Sequence, residues 1–129
     1  MTGAQANVIK VRVLVVDDEE VIADTLALIL KHHGFEASAA YSGEAAIRLA
    51  MFIRPDLLIS DLTMPGVDGI DIAARILALL PNCKVIIRSG IADYLDQSLR
   101  TRLEESCLEI LPKPYPPQSL LKRIQELCS

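Results

Sequence analysis

The sequence predicts an open α/β fold, a doubly wound, parallel five-stranded sheet with helices on both faces, and three observations lead there. Short β-branched apolar runs alternate with segments of helical spacing five times along the 129 residues. The first of these runs, through Val11, Val13, Leu14, Val15 and Val16, is almost continuously apolar, as a strand covered on both faces must be. Aromatic residues make up only 4% of the chain and Trp is absent, so the interior has to be built from Leu, Ile, Val and Ala. The length suits one domain and leaves no room for two independent cores.

Residues 1–8 are polar, small and non-periodic, which predicts a flexible tail ahead of a single domain over residues 9–129. The first strand ends in Asp17 and Asp18. Ile22, Leu26, Ile29 and Leu30 then recur at helical spacing, with acidic residues in the first turn and Gly34 after the last. A second, less apolar strand is expected over residues 35–40. Ser42 then caps a helix whose apolar face is Ala45, Ala46, Leu49, Ala50 and Ile53, and Pro55 closes it. Leu57, Leu58 and Ile59 form a third strand that runs into Asp61. After it, Met64, Pro65, Gly66 and Gly69 predict a loop. Residues 70–80 are helical by spacing and stop before Pro81, with Asp71 and Arg75 four apart on the exposed side. Val85, Ile86 and Ile87 centre a fourth strand that ends at Ser89-Gly90. A charged helix with a narrow Leu95, Leu99, Leu103 stripe is expected over residues 93–106. Residues 109–111 make a fifth strand, Pro112-Lys113-Pro114 a rigid loop, and residues 116–127 a last helix packing through Leu120, Ile124 and Leu127. Parallel strands require such crossovers, and these are overwhelmingly right-handed.

An apolar share of 51% against 23% charged residues can fill a core and still present a soluble surface. Thirteen basic against seventeen acidic residues give a net charge of −4, with no basic run to serve as a nucleic-acid footprint, so direct contact with nucleic acid is not expected. No apolar run is long enough for a bilayer and no signal pattern opens the chain, so a cytoplasmic location without membrane contact is expected. Cys83, Cys107 and Cys128 are widely spaced, which predicts reduced thiols and no metal or redox pair. His32 and His33 are adjacent, point in different directions and sit where a helix C-terminus favours positive charge.

In open sheets of this kind, ligands bind beyond the carboxyl ends of the strands. Asp17 and Asp18 follow strand one, Asp61 strand three, Ser89 strand four and Lys113 strand five, so four strand ends converge on one site. Three crowded carboxylates repel one another, and a divalent ion relieves that repulsion. Oxygen ligands with room left for water and a phosphoryl oxygen suit Mg²⁺; too few His or Cys residues stand nearby for zinc. Phosphoryl transfer asks mainly for positioning and for charge neutralisation, which a metal, Lys113 and the Ser89 hydroxyl can share. Asp61, alone at the end of the central strand, is the natural nucleophile, while Asp17 and Asp18 are better placed to hold the ion.

The segments Val13-Leu14-Val15-Val16-Asp17-Asp18-Glu19, Ser60-Asp61-Leu62-Thr63-Met64-Pro65-Gly66-Val67-Asp68-Gly69, Ile86-Ile87-Arg88-Ser89-Gly90 and Leu111-Pro112-Lys113-Pro114 closely resemble, in order and spacing, those of response-regulator receiver domains. The resemblance spans nearly the whole chain, and it is specific as a set where each piece alone is weak. It implies a flavodoxin-like strand order 2-1-3-4-5 and a phosphoacceptor, not an enzyme in the usual sense, that promotes its own phosphorylation and dephosphorylation. It also implies that Asp61 accepts a phosphoryl group from the phosphohistidine of a sensor histidine kinase or phosphotransfer protein. Asp18 and Asp61 would bind Mg²⁺ directly, Asp17 through water, and the Thr63 backbone carbonyl would add a ligand. Lys113, preceding a cis Pro114, would contact the phosphoryl group, and Ser89 would move inward to hydrogen-bond it.

One position departs from the family pattern. Where receiver domains usually carry Tyr or Phe three residues before the lysine, this chain has Ile110, stiff at χ1 and without a hydroxyl, so the usual aromatic switch is in question. Output is expected through a downstream protein or an effector domain outside this sequence, by way of the last two helices and the fifth strand. A weak homodimer through the charged helix and fifth strand stays open. Two other readings compete with the switch. One is a receiver-like scaffold that binds partners without phosphorylation, for which Ile110 is the support. The other is a Mg²⁺-dependent phosphatase with an aspartyl nucleophile, and Thr63 argues against it, because it stands two residues after Asp61 where such an enzyme needs a general acid.

Overall fold

The computed structural model describes residues 10–64, 67–90, 101, 109–113 and 115–128. Among these residues eleven elements are bounded, in order β1 (Arg12–Val16), α1 (Glu20–His32), β2 (Glu36–Ala40), α2 (Gly43–Ile53), β3 (Leu57–Asp61), β4 (Thr63–Met64), β5 (Val67–Asp68), α3 (Gly69–Leu79), β6 (Lys84–Ser89), β7 (Glu109–Pro112) and α4 (Pro117–Cys128). The tail expected at residues 1–8 and the peptide bond from Lys113 to Pro114 lie outside the described residues, as does the helix at 93–106 apart from helical Thr101.

Five strands form one parallel sheet in the order β2-β1-β3-β6-β7, so the order 2-1-3-4-5 holds among its members. The chain winds outward from β1 to β2, returns past β1 to β3, and continues to β7. The reversal therefore lies between β1 and β3, whose carboxyl ends carry Asp17 and Asp61.

Period-two alternation divides the strands between two apolar layers. Leu14, Val16, Leu58, Val85 and Ile87 face α2 and α3, packing on Ala46, Ala50, Ile72, Ala73 and Ile76. Val13, Val15, Leu57, Ile59, Ile86 and Leu111 face α1 and α4, packing on Ala23, Leu26, Ala27, Leu30, Leu120 and Ile124. Leu57 to Asp61 are buried throughout, which is why this strand shows no polar alternation in sequence.

Helix ends follow their local chemistry. Ser42 accepts a hydrogen bond from the Ala45 N–H at 3.1 Å and so starts α2, which stops at Arg54 in the left-handed region. Gly34, at φ 90°, turns the chain out of α1 at a conformation glycine adopts freely. His33 Nδ1 donates to the Ile29 carbonyl at 2.9 Å, and Lys31 and His32 occupy the last turn of α1, so the paired histidines serve a helix end. Cys83 and Cys128 are free thiols, and burial pushes Cys83 up to about 11, which leaves it protonated and unreactive at neutral pH.

The connection after Asp61 differs from the expected loop. Thr63 and Met64 pair antiparallel with Val67 and Asp68, and Gly69 is the first residue of α3 instead of a breaker before it. Close approach explains this: a Cβ on Gly69 would collide with the Asp61 carbonyl oxygen and lie 2.9 Å from the Leu62 Cα. Only a residue without a side chain lets α3 begin against the end of β3, and the Gly69 N–H donates to the Leu62 carbonyl at 2.8 Å.

Candidate functional site

The alternation that sorts the core also builds the site. Val13 and Val15 on β1, and Leu57 and Ile59 on β3, point toward α1 and α4, so Asp17 and Asp61, two residues further on, keep that direction. Ile86 precedes Arg88 in the same way on β6, and Leu111 precedes Lys113 at the end of β7. Register completes the row, with Val16 beside Ser60 and Asp61 beside Arg88. Two carboxylates and two cations thus stand side by side at the carboxyl edge, on the α1 and α4 side.

Asp18 joins them from the turn into α1. Among the described residues, Asp17, Asp18 and Asp61 form a group in which one carboxylate oxygen from each lies within 4.8 Å of the others. Asp17 and Asp61 are buried, whereas Asp18 is exposed. Asp17 Oδ1 accepts from the Glu19 N–H at 2.9 Å, which ties the acidic turn to the start of α1. Its Oδ2 meets Arg88 Nη1 at 3.1 Å. Lys113 Nζ lies 2.5 Å from Asp61 Oδ1. Burial raises the Asp61 carboxyl above its ordinary value, Lys113 works against that rise, and the Asp17 charge adds to it. A group so placed gains from any further cation at its side.

Ser89 belongs to the other parity. It is buried, its hydroxyl donates to the Gly90 carbonyl at 3.3 Å, and its own carbonyl accepts from the Lys113 N–H at 2.7 Å. The backbone of the hydroxyl residue is therefore fastened to the backbone of the lysine. Thr63 follows Asp61 by two residues in β4, and Ile110 pairs with Ile87 in the sheet register. Tyr115 packs against the α1 and α4 layer as a surface-packing residue.

Arg88 is the site residue to which sequence reasoning gave no role. Its sequence signal was a charged side chain directly after the apolar Val85-Ile86-Ile87 run, two positions after Ile86; its register beside Asp61 is set by the sheet.

Residues 13–125 match the family described as the response regulator receiver domain. The chain belongs to that family. It is similar to the DNA-binding response regulator MtrA of Mycolicibacterium paratuberculosis, 32% identical over 114 residues that cover 88% of this chain and 49% of MtrA. It is also similar to the transcriptional regulatory protein PrrA of Mycobacterium leprae, 34% identical over 119 residues covering 90% of this chain and 49% of PrrA. The receiver domain thus spans about half the length of the curated relatives it matches. Among solved structures, a response regulator receiver domain protein from Clostridium thermocellum superposes with a TM-score of 0.79 at 30% identity, covering 90% of this chain and 92% of the other.

The donor set of this receiver domain fits a divalent cation. Its three carboxylates carry one more negative charge than Arg88 and Lys113 offset, their oxygens converge, and the exposed side of Asp18 leaves room for water ligands. No helix among the described residues is long and apolar enough to cross a membrane.

Proposed function

We propose that the domain is a phosphoacceptor switch in which Asp61 takes up a phosphoryl group beside a Mg²⁺ ion held by Asp17, Asp18, Asp61 and the Thr63 carbonyl. The observation that carries this reading is the position of Asp61: one carboxylate oxygen is paired with Lys113 while the carboxylate faces two further acids. An unneeded buried carboxylate in such company would be a liability.

In the reaction, an Asp61 oxygen forms a bond to phosphorus as the N–P bond of the donor phosphohistidine breaks, and the freed imidazole nitrogen takes a proton from solvent. Bound Mg²⁺ supplies charge neutralisation for the phosphoryl oxygens. Lys113 is already ion-paired to Asp61 and follows the oxygen that becomes part of the acyl phosphate. Ser89 moves inward to hydrogen-bond the phosphoryl group and draws its loop along, and the bond from the Lys113 N–H to its carbonyl couples that movement to the lysine loop. Water attack on phosphorus then returns the carboxylate and releases inorganic phosphate. The donor is a sensor histidine kinase or phosphotransfer protein, the setting is the cytoplasm, and the output passes to a downstream protein or an effector domain.

Incubation with Mg²⁺ and a small acyl phosphate, read by intact mass, tests this reading. One acid-labile phosphate is expected on the wild type and none on Asp61→Asn. No phosphate on either would favour the constitutive scaffold, and many turnovers without a stable adduct would favour a phosphatase.

A further inference from the structure

Asp17 is the most enclosed member of the acidic group, with a side chain only 2% exposed, and both of its oxygens are engaged. The Glu19 N–H holds one and Arg88 holds the other. Arg88 is itself 17% exposed and comes from β6, two strands away across β3, so its guanidinium is held in place by the sheet and not by a mobile loop. A cation already bonded to one of the three carboxylates occupies electrostatic ground that a metal would otherwise claim.

From this arrangement we infer that Arg88 is a positioning residue that competes with the divalent cation for Asp17 and sets the metal affinity of the unphosphorylated domain. The inference rests on the metal-dependent reading of the site and concerns how strongly that metal is held. With Arg88 on Asp17, the ion finds a cluster whose excess negative charge is small, and it binds only by displacing or sharing the guanidinium. Arrival of phosphoryl oxygens restores negative charge, so metal and phosphoryl group reinforce each other more strongly than they would with an apolar residue at position 88. Arg88 thereby holds the domain in a low-affinity resting state until a donor delivers its phosphoryl group.

A purely structural role, tying β1 to β6, is the competing account, and the two differ in what metal does. The chain has no Trp, so binding of Mn²⁺ or Mg²⁺ to the unphosphorylated protein is best read by calorimetry or electron paramagnetic resonance. Competition predicts that Arg88→Met binds metal roughly tenfold more tightly than the wild type, and that Arg88→Lys, which keeps the charge, stays near the wild type. Arg88→Met should melt at a lower temperature in chelator and gain more on metal addition than the wild type does, because tighter binding adds more to the folded state. The Mg²⁺ concentration giving half-maximal phosphorylation should fall in step.

Equal or weaker metal binding by Arg88→Met, with the same melting loss in chelator and in Mg²⁺, would overturn the role of Arg88 while leaving the metal site intact. Absence of binding to the wild type and to Arg88→Met alike would remove the metal reading and this inference together.

Discussion

Asp61 holds a negative charge at a place that disfavours it. Burial raises its carboxyl above the ordinary 3.8 and outweighs the opposing pull of Lys113. Between 3.8 and that raised value the folded state therefore binds more protons than the unfolded state, and stability falls as pH climbs through the window and stays lower above it. Asn at this position cannot ionise. In metal-free buffer, Asp61→Asn is accordingly expected to melt above the wild type at neutral pH, with the gap closing as pH falls through the window. Added Mg²⁺ should stabilise the wild type and not the variant. Thermal melts over a pH series, with and without chelator, measure both effects. A variant less stable than the wild type in chelator at neutral pH would show that the Lys113 pair, at 2.5 Å, outweighs burial.

Two helix starts give opposite expectations although each hangs on one residue. Ser42 caps α2 at the edge of the molecule, where its hydroxyl accepts from the Ala45 N–H and touches nothing of the site. Ser42→Ala should cost about 1 kcal/mol, the ordinary worth of a cap, and leave phosphoryl uptake unchanged. Gly69 starts α3 directly against the Asp61 carbonyl. An added methyl has to displace backbone, which typically costs ~1–3 kcal/mol, and the displaced backbone is that of Asp61 and Leu62. Gly69→Ala should therefore lose stability and slow phosphorylation together. Denaturant unfolding paired with phosphorylation rates separates the two cases. The element boundaries around β3 show why the hairpin of β4 and β5 escaped the sequence reading: Pro65, Gly66 and Gly69 signal a turn but not which flanking residues pair.

At the scale of the molecule, the sheet is a partition between two separate apolar layers. Ile76 lies in the α2 and α3 layer and Ile124 in the α1 and α4 layer, both fully enclosed. With no shared partner, Ile76→Val and Ile124→Val should each cost about 0.5–1.5 kcal/mol, and the double variant should equal their sum within ~0.5 kcal/mol. Clear non-additivity in a denaturation series would mean that the layers communicate through the strands. Such communication matters because the acidic group, Arg88 and Lys113 lie on one side of the sheet while Ser89 keeps the parity of Ile87 on the other.

Residue order alone determined the βα alternation, the strand ends that carry Asp17, Asp18, Asp61, Ser89 and Lys113, and the family to which they point. Each of these is written in local pattern: runs of β-branched residues make strands, helical spacing makes helices, and polar residues gather where strands stop. Tertiary structure decided what local pattern cannot carry. Register set Arg88 beside Asp61 and within reach of Asp17, which no spacing along one strand reveals. The close approach of α3 to β3 made Gly69 a helix start, and the Lys113 backbone was fastened to Ser89 at the end of the neighbouring strand. Contacts between distant segments depend on how strands are shifted against one another, and that shift is fixed only when both apolar layers close over the sheet.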